Sequence, residues 1–382
     1  MKKVLYIISV FLMSINLFGQ TNPDIENKLI QHFKTHNWND NVVTRNSLYK
    51  TDFKDNNFNV SINDKLLDFE TELIVIKNPY FSEKFDESEK EEIYTKNFPK
   101  SFSVIYQDNL IVLFENGKFA CFDLNSLERN VAFEEQLNTK KIDYHWIVDN
   151  CLVAQSGNQK LFWNDTKWVN FKEEFPLKNQ PILFNDDEFI VFSDCFGEWG
   201  GTVYFYEKAT GKTYFTESTC ANSVTKTDDG YQVLAHLGHM SGSSEIKVIP
   251  NPRKLTQVKS RKINKTINGE ALGYTDKSNA FTTKLDLYDL QIFSRFTLNH
   301  EEFFIVNVLD LTFVAKIENN EIKIVHPLFF NDLYTHNPIT TQYGEYTLVN
   351  LDHYGTGLYR EISVLIIHSN KITKIDWNEK YN

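Results

Sequence analysis

The chain has 382 residues, 41% of them hydrophobic, and a formal net charge of −11; it can bury a sizeable core as one repeat-built domain or two ordinary ones. An acidic field of this size repels phosphate backbones and anionic lipid, which excludes nucleic acid as the expected partner. With 31 Phe and 18 Tyr against 9 Pro and 15 Gly, the composition leans to strand and away from long unstructured linkers.

Residues 1–19 read as a secretory signal. Lys2 and Lys3 give a basic start, Val4 to Phe18 an apolar stretch, and Gly19 a small residue for cleavage. Ser9, Ser14 and Asn16 interrupt that stretch, which is shorter than the roughly 20 residues a bilayer requires. No later segment is long and apolar enough to span, so the expected location is outside the cytoplasm: periplasm, cell surface or medium. Residues 20–65 read as an irregular segment with one short amphipathic helix over Asp24 to His36, carrying Ile25, Leu29, Ile30 and Phe33 on one face.

From residue 66 to 382 the pattern is one of short strands. Leu73-Ile74-Val75-Ile76 is the first. Ser103 to Tyr106, Leu110 to Phe114 and Lys118 to Phe122 follow, the last two joined by the hairpin turn Glu115-Asn116-Gly117. The hairpin Leu110 to Leu124 resembles, in its hydrophobic pattern, the repeats of quinoprotein-like and related β-propellers. That resemblance implies a propeller fold and brings no family function with it. Further strands flank Ser156-Gly157-Asn158, Thr210-Gly211 and Asn319-Asn320, and the chain closes with Tyr346 to Asn350, Glu361 to Ile367 and Ile372 to Trp377. Taking Asn116, Ser156, Asp194, Gly238, Asp276, Asp310 and Asp352 as successive inner turns gives steps of 40, 38, 44, 38, 34 and 42 residues. Strand-filled repeats near 40 residues predict an all-β propeller of about seven four-stranded blades. A pair of β-sandwiches is the structural alternative.

Three glycine-marked corners share one plan: Asp194-Cys195-Phe196-Gly197-Glu198-Trp199-Gly200-Gly201, Gly238-His239-Met240-Ser241-Gly242, and Asp352-His353-Tyr354-Gly355. Equivalent loops of a propeller share a face, so Asp194, Glu198, Trp199, His239, Asp352, His353 and Tyr354 are the expected binding residues around a common depression. Two readings follow. The first is a non-catalytic module that holds a protein or glycan through aromatic anchors on that rim. The second is a glycan-active hydrolase or lyase using the rim's imidazoles and carboxylates. No nucleophile elbow, phosphate loop, zinc-protease or dinucleotide motif is present, which favours binding and points to no cofactor. His236 and His239 form an HxxH at a strand end rather than on a helix, so no metal site is expected there. The basic run from Arg253 to Lys265 reads as a solvated loop. Export makes a disulfide reasonable among Cys121, Cys151, Cys195 and Cys220; Cys195 and Cys220 flank one hairpin and are the expected pair, the alternative being four free thiols.

Overall fold

Each stretch of apolar residues interrupted by a tight polar turn becomes one more strand of an antiparallel meander, and six meanders succeed one another along the chain. The computed structural model describes residues 49–53, 56–63, 66–80, 98–172, 176–238, 242–258, 276–288, 290–308, 311–319, 321–328, 337–351 and 363–377, with single positions between them. Three strands precede the meanders: β1 (Tyr49–Phe53), β2 (Asn56–Ile62) and β3 (Glu70–Val75). Blade one holds β4 (Val104–Tyr106), β5 (Asn109–Leu113) and β6 (Phe119–Asp123), followed by the helix α1 (Val131–Leu137). Blade two holds β7 (Tyr144–Val148), β8 (Cys151–Ser156), β9 (Gln159–Trp163) and β10 (Trp168–Asn170). Blade three runs through β11 (Ile182–Asn185), β12 (Phe189–Cys195), β13 (Gly201–Glu207) and β14 (Lys212–Glu217).

Blade four begins with β15 (Ala221–Thr227), β16 (Gly230–Leu237) and β17 (Ser243–Ile249); the chain then returns to blade three as β18 (Thr256–Gln257) before completing blade four with β19 (Thr282–Tyr288). Blade five holds β20 (Gln291–Leu298), β21 (Glu301–Val308), β22 (Leu311–Glu318) and β23 (Glu321–Pro327). Blade six holds β24 (Ile339–Tyr343), β25 (Tyr346–Leu351), β26 (Ser363–His368) and β27 (Lys371–Asp376). The leading strands close the outer rim: β2 pairs in parallel with β23, and β3 in parallel with β27. On the N-terminal segment, Asn27, Leu29 and Gln31 are helical and Leu29 is buried, while most of the expected helix lies outside the described residues.

The core is not one droplet but six, each wedged between neighbouring blades. Val112 and Phe114 of blade one pack with Leu348, Val364 and Ile375 of blade six. The other five clusters join blades one and two, two and three, three and four, four and five, and five and six. A cluster at every boundary, including last to first, defines a closed ring. Strands buried on both faces explain why β5 and β13 read as continuous apolar runs rather than as alternation.

The all-β propeller stands, and the blade count does not. Among the described residues there are six sheets, of three to six strands, instead of seven of four. Asp310 and Asp352 lie outside the described residues, and four of the other proposed anchors, Asn116, Ser156, Asp194 and Gly238, lie at or beside the connection from a blade's second strand to its third. Asp276 does not. It lies between β18 and β19 inside blade four, where its carboxylate accepts hydrogen bonds from the Thr256 and Ser278 backbone N–H groups and hydroxyls. The apparent steps of 38 and 34 residues are therefore one long blade with an excursion to its neighbour.

Candidate functional site

In every blade the first strand is innermost, so second strands all run back to the face on which first strands begin. Contacts between blades bear this out. The end of β12 is bridged to the start of β15 by the disulfide Cys195–Cys220, with Cα atoms 4.3 Å apart. At the start of β15, the Asn222 side-chain amide donates to the Ile292 carbonyl at the start of β20 (3.1 Å). Ser103, ahead of β4, exchanges two hydrogen bonds with the Asn350 side chain near the end of β25.

The corner after β12 is fixed from several sides. Gly201 is forced by crowding: a Cβ there would lie 2.5 Å from the Ser218 carbonyl oxygen and 2.6 Å from that of Asp194. Asp194 is half-buried, accepting from the Gln180 amide (3.1 Å) through Oδ1 and from the Tyr204 hydroxyl (3.0 Å) through Oδ2. Tyr204 in turn stacks on Phe192, ring centroids 4.9 Å apart. Glu198 and Trp199 occupy the single 3₁₀ turn Gly197–Trp199 and are exposed, Trp199 by 53%. His239, Asp352, His353 and Tyr354 lie outside the described residues. Of the expected site the structure thus brings together Asp194, Glu198, Trp199 and the Cys195–Cys220 bridge. Cys121 is a buried free thiol and Cys151 an exposed one. Arg253 is exposed, as expected, and also pairs with Glu188 (2.9 Å) and with Glu207; Lys259 to Lys265 of the same basic run lie outside the described residues. Among the described residues no three His, Cys, Asp or Glu side chains converge as metal ligands, and no helix is long and apolar enough to cross a membrane.

One feature of the same face carried no sequence signal. A small cavity, with room for about one water molecule, opens between the starts of β4, β7 and β11 and the strand β24. His145 is one of its lining residues, with its Nδ1 3.1 Å from the Ser101 hydroxyl and its ring edge-on to Phe119. Burial lowers the His145 pKa to about 4, an effect that the nearby Ile111 carbonyl offsets in part. The imidazole is neutral at neutral pH. The Ser103 hydroxyl oxygen is buried without a hydrogen-bond partner. Gln180 touches both places, lining the cavity and bonding Asp194. Small polar residues at the starts of innermost strands have no motif spacing, so only the assembled ring reveals them.

No family model matches the chain, and no curated protein matches it. Solved structures show remote likeness. The extracellular domain of a one-component system protein from B. thetaiotaomicron is 11% identical over 66% of this chain, with a TM-score of 0.37. This chain spans 31% of that one. BamB from Moraxella catarrhalis is 12% identical over 66% of this chain and 69% of its own, with a TM-score of 0.32. The WD40 repeats of RRP9 are 8% identical over 70% of this chain and 93% of theirs, with a TM-score of 0.37. Likeness at this level brings no function across.

Proposed function

We propose that this protein is exported and acts as a non-catalytic binding module, holding a protein or glycan against the face where the second strands end. The observation that carries the reading is Trp199, 53% exposed on a corner pinned by the Cys195–Cys220 bridge and the crowded Gly201. An exposed indole on a rigid support buries much area on binding at little entropic cost, as interface anchors do. The bridge and the apolar stretch after Lys2 and Lys3 suit passage to an oxidising compartment. Asp194 suits a supporting role better than a reacting one, since each of its oxygens already accepts a hydrogen bond. His239, Asp352, His353 and Tyr354 belong to the corresponding corners of blades four and six and are assigned to the same face as part of this proposal.

The test compares wild-type protein with Trp199→Ala on an array of neutral and acidic glycans and of purified outer-surface proteins. At least one class should be retained by the wild type and weakened about fivefold or more by the substitution, with the melting temperature unchanged. Equal binding by the two forms would remove the anchor and the reading with it. For export, fractionation of cells making the full chain should find the protein outside the cytoplasm and shortened by about 20 residues; intact chain in the cytoplasm rejects that part.

A further inference from the structure

We infer that β3 is a docking edge, taking an extended segment of another protein, apolar and basic at alternate positions, as a further strand of blade six. The site is independent of the Trp199 corner, which belongs to blade three. Among the described residues β3 is the last strand of its sheet and pairs with β27 alone, in an unbroken register over Glu70–Val75. Glu70 donates its N–H to the Asn370 carbonyl at 2.9 Å, and Ile76 to that of Asp376 at 3.1 Å. Backbone groups of successive strand residues face opposite ways, so those of Thr71, Leu73 and Val75 point away from β27. The side chains of Leu73 and Val75 share one face of the sheet and are 47% and 38% exposed.

The other blades protect their outer edges. β10 and β18 are only three and two residues long. The register of β19 shifts at Lys284, β1 contains Lys50, and the β6 backbone is bonded by Asn130, Glu134 and Asn138. Over its six residues β3 has no Lys, no Pro and no bulge. A straight apolar edge without these devices is where a further strand adds. Charge identifies the occupant. On the face opposite Leu73, Glu70 is exposed and Glu72 is half-buried beside Lys371 at 2.8 Å. A second β3 would bring two more acids to this edge, whereas Lys or Arg at those positions would be matched across the new pair. The net charge of −11 attracts the same basic partner.

Fluorescence polarisation on the full-length protein tests this, using a labelled, capped peptide of about eight residues alternating Val and Lys. It should bind, while a peptide of equal composition with its lysines in one block, and one alternating Val and Glu, should bind at least about tenfold more weakly. Leu73→Pro removes an outward N–H and leaves the bonds to β27, so it should weaken binding about tenfold or more at an unchanged melting temperature. Amide hydrogen exchange needs no variant, and decides alone should Leu73→Pro fail to fold: on saturation Thr71, Leu73 and Val75 should slow, while Glu72 and Ile74, already bonded to β27, change little. If the alternating peptide does not bind, binds no better than the blocked one, or leaves those three amides as fast as before, the inference falls. Undiminished binding by folded Leu73→Pro overturns it too. Trp199→Ala should bind the peptide as the wild type does; loss there would move the peptide to the corner and reject the edge. If sedimentation shows a dimer that Leu73→Pro makes monomeric, the occupant is a second copy and the basic partner is wrong.

Discussion

Glu134 shows how single charges hold this molecule. It lies in α1 and is 3% exposed, yet it is an acid in a largely apolar ring. The carboxylate accepts the Cys121 backbone N–H at the edge of blade one (3.0 Å) and a forked pair of bonds from Arg129 at 2.8 and 2.6 Å. A third donor, the Tyr80 hydroxyl, reaches it at 3.2 Å. One side chain therefore ties the helix, the β6 edge and the residues after β3 together. Replacing it by Ala leaves a strand N–H and a guanidinium without their acceptor. Glu134→Ala should cost about 3 kcal/mol in urea denaturation, whereas the exposed neighbour Glu135→Ala should cost less than about 0.5. Nothing in the local pattern singled out Glu134, because the apolar spacing around it suits an exposed helix as well. His145 was equally silent. A histidine amid strand residues gives no sign of whether its ring will be packed, paired or left facing an opening.

Between elements, the interface of blades three and four on the opposite face is held by an ionic net. Asp186 and Glu188 lie in the β11–β12 turn, Glu207 ends β13, Lys226 lies near the end of β15 and Arg253 follows β17. Hydrogen bonds from Arg253 and then Lys226 lower the Glu188 pKa. For Glu207 the donors are Thr210 and then Arg253. Burial works against the Asp186 carboxylate, but bonds from Lys226, the Phe189 N–H and Tyr231 outweigh it. All three acids thus release their protons more readily folded than unfolded. Their support is complete above the ordinary carboxylate range and is lost as pH falls through the lower folded values. The expected outcome is a melting temperature that drops below about pH 4.5, with the drop flattened in Arg253→Met. Burial lowers the pKa of both His145 and His326, so folding opposes their protonation and their contribution to stability rises with pH, for His145 between about 4 and 6.5. Calorimetry across the two windows separates the contributions. The exposure of Arg253 is legible in the sequence but its pairing is not, since its acidic partners stand 46 and 65 positions away.

At the scale of the molecule, the start of the chain helps close the ring: β3, which precedes blade one, pairs in parallel with β27 of blade six. Blade six meets blade one through the cluster of Leu348, Val364 and Ile375 with Val112 and Phe114, and through the paired bonds of Asn350 to Ser103. Asn350→Ala removes both bonds and strands a buried N–H and carbonyl, at about 1–3 kcal/mol. The clasp should loosen first, so hydrogen exchange should quicken in β4 and β25 before it does in β16 or β21. The fold class was legible because a 40-residue period of strands and turns survives in the turn residues. The blade number was not, because Asp276 caps its own loop with the same chemistry as a true inner turn, and only pairing partners distinguish the two.

The strand order within blades three to six also dictates when the molecule can become whole. β18 finishes blade three only after three strands of blade four exist, and β3 waits for a partner made about 300 residues later. A chain emerging from the ribosome or through a membrane pore therefore carries an unpaired leading strand for almost its entire synthesis. Exposed strand edges of that kind recruit other chains. Glu70 and Glu72, which end up opposite Lys371 and Thr373, give that waiting edge two negative charges that discourage it from pairing with a second copy of itself.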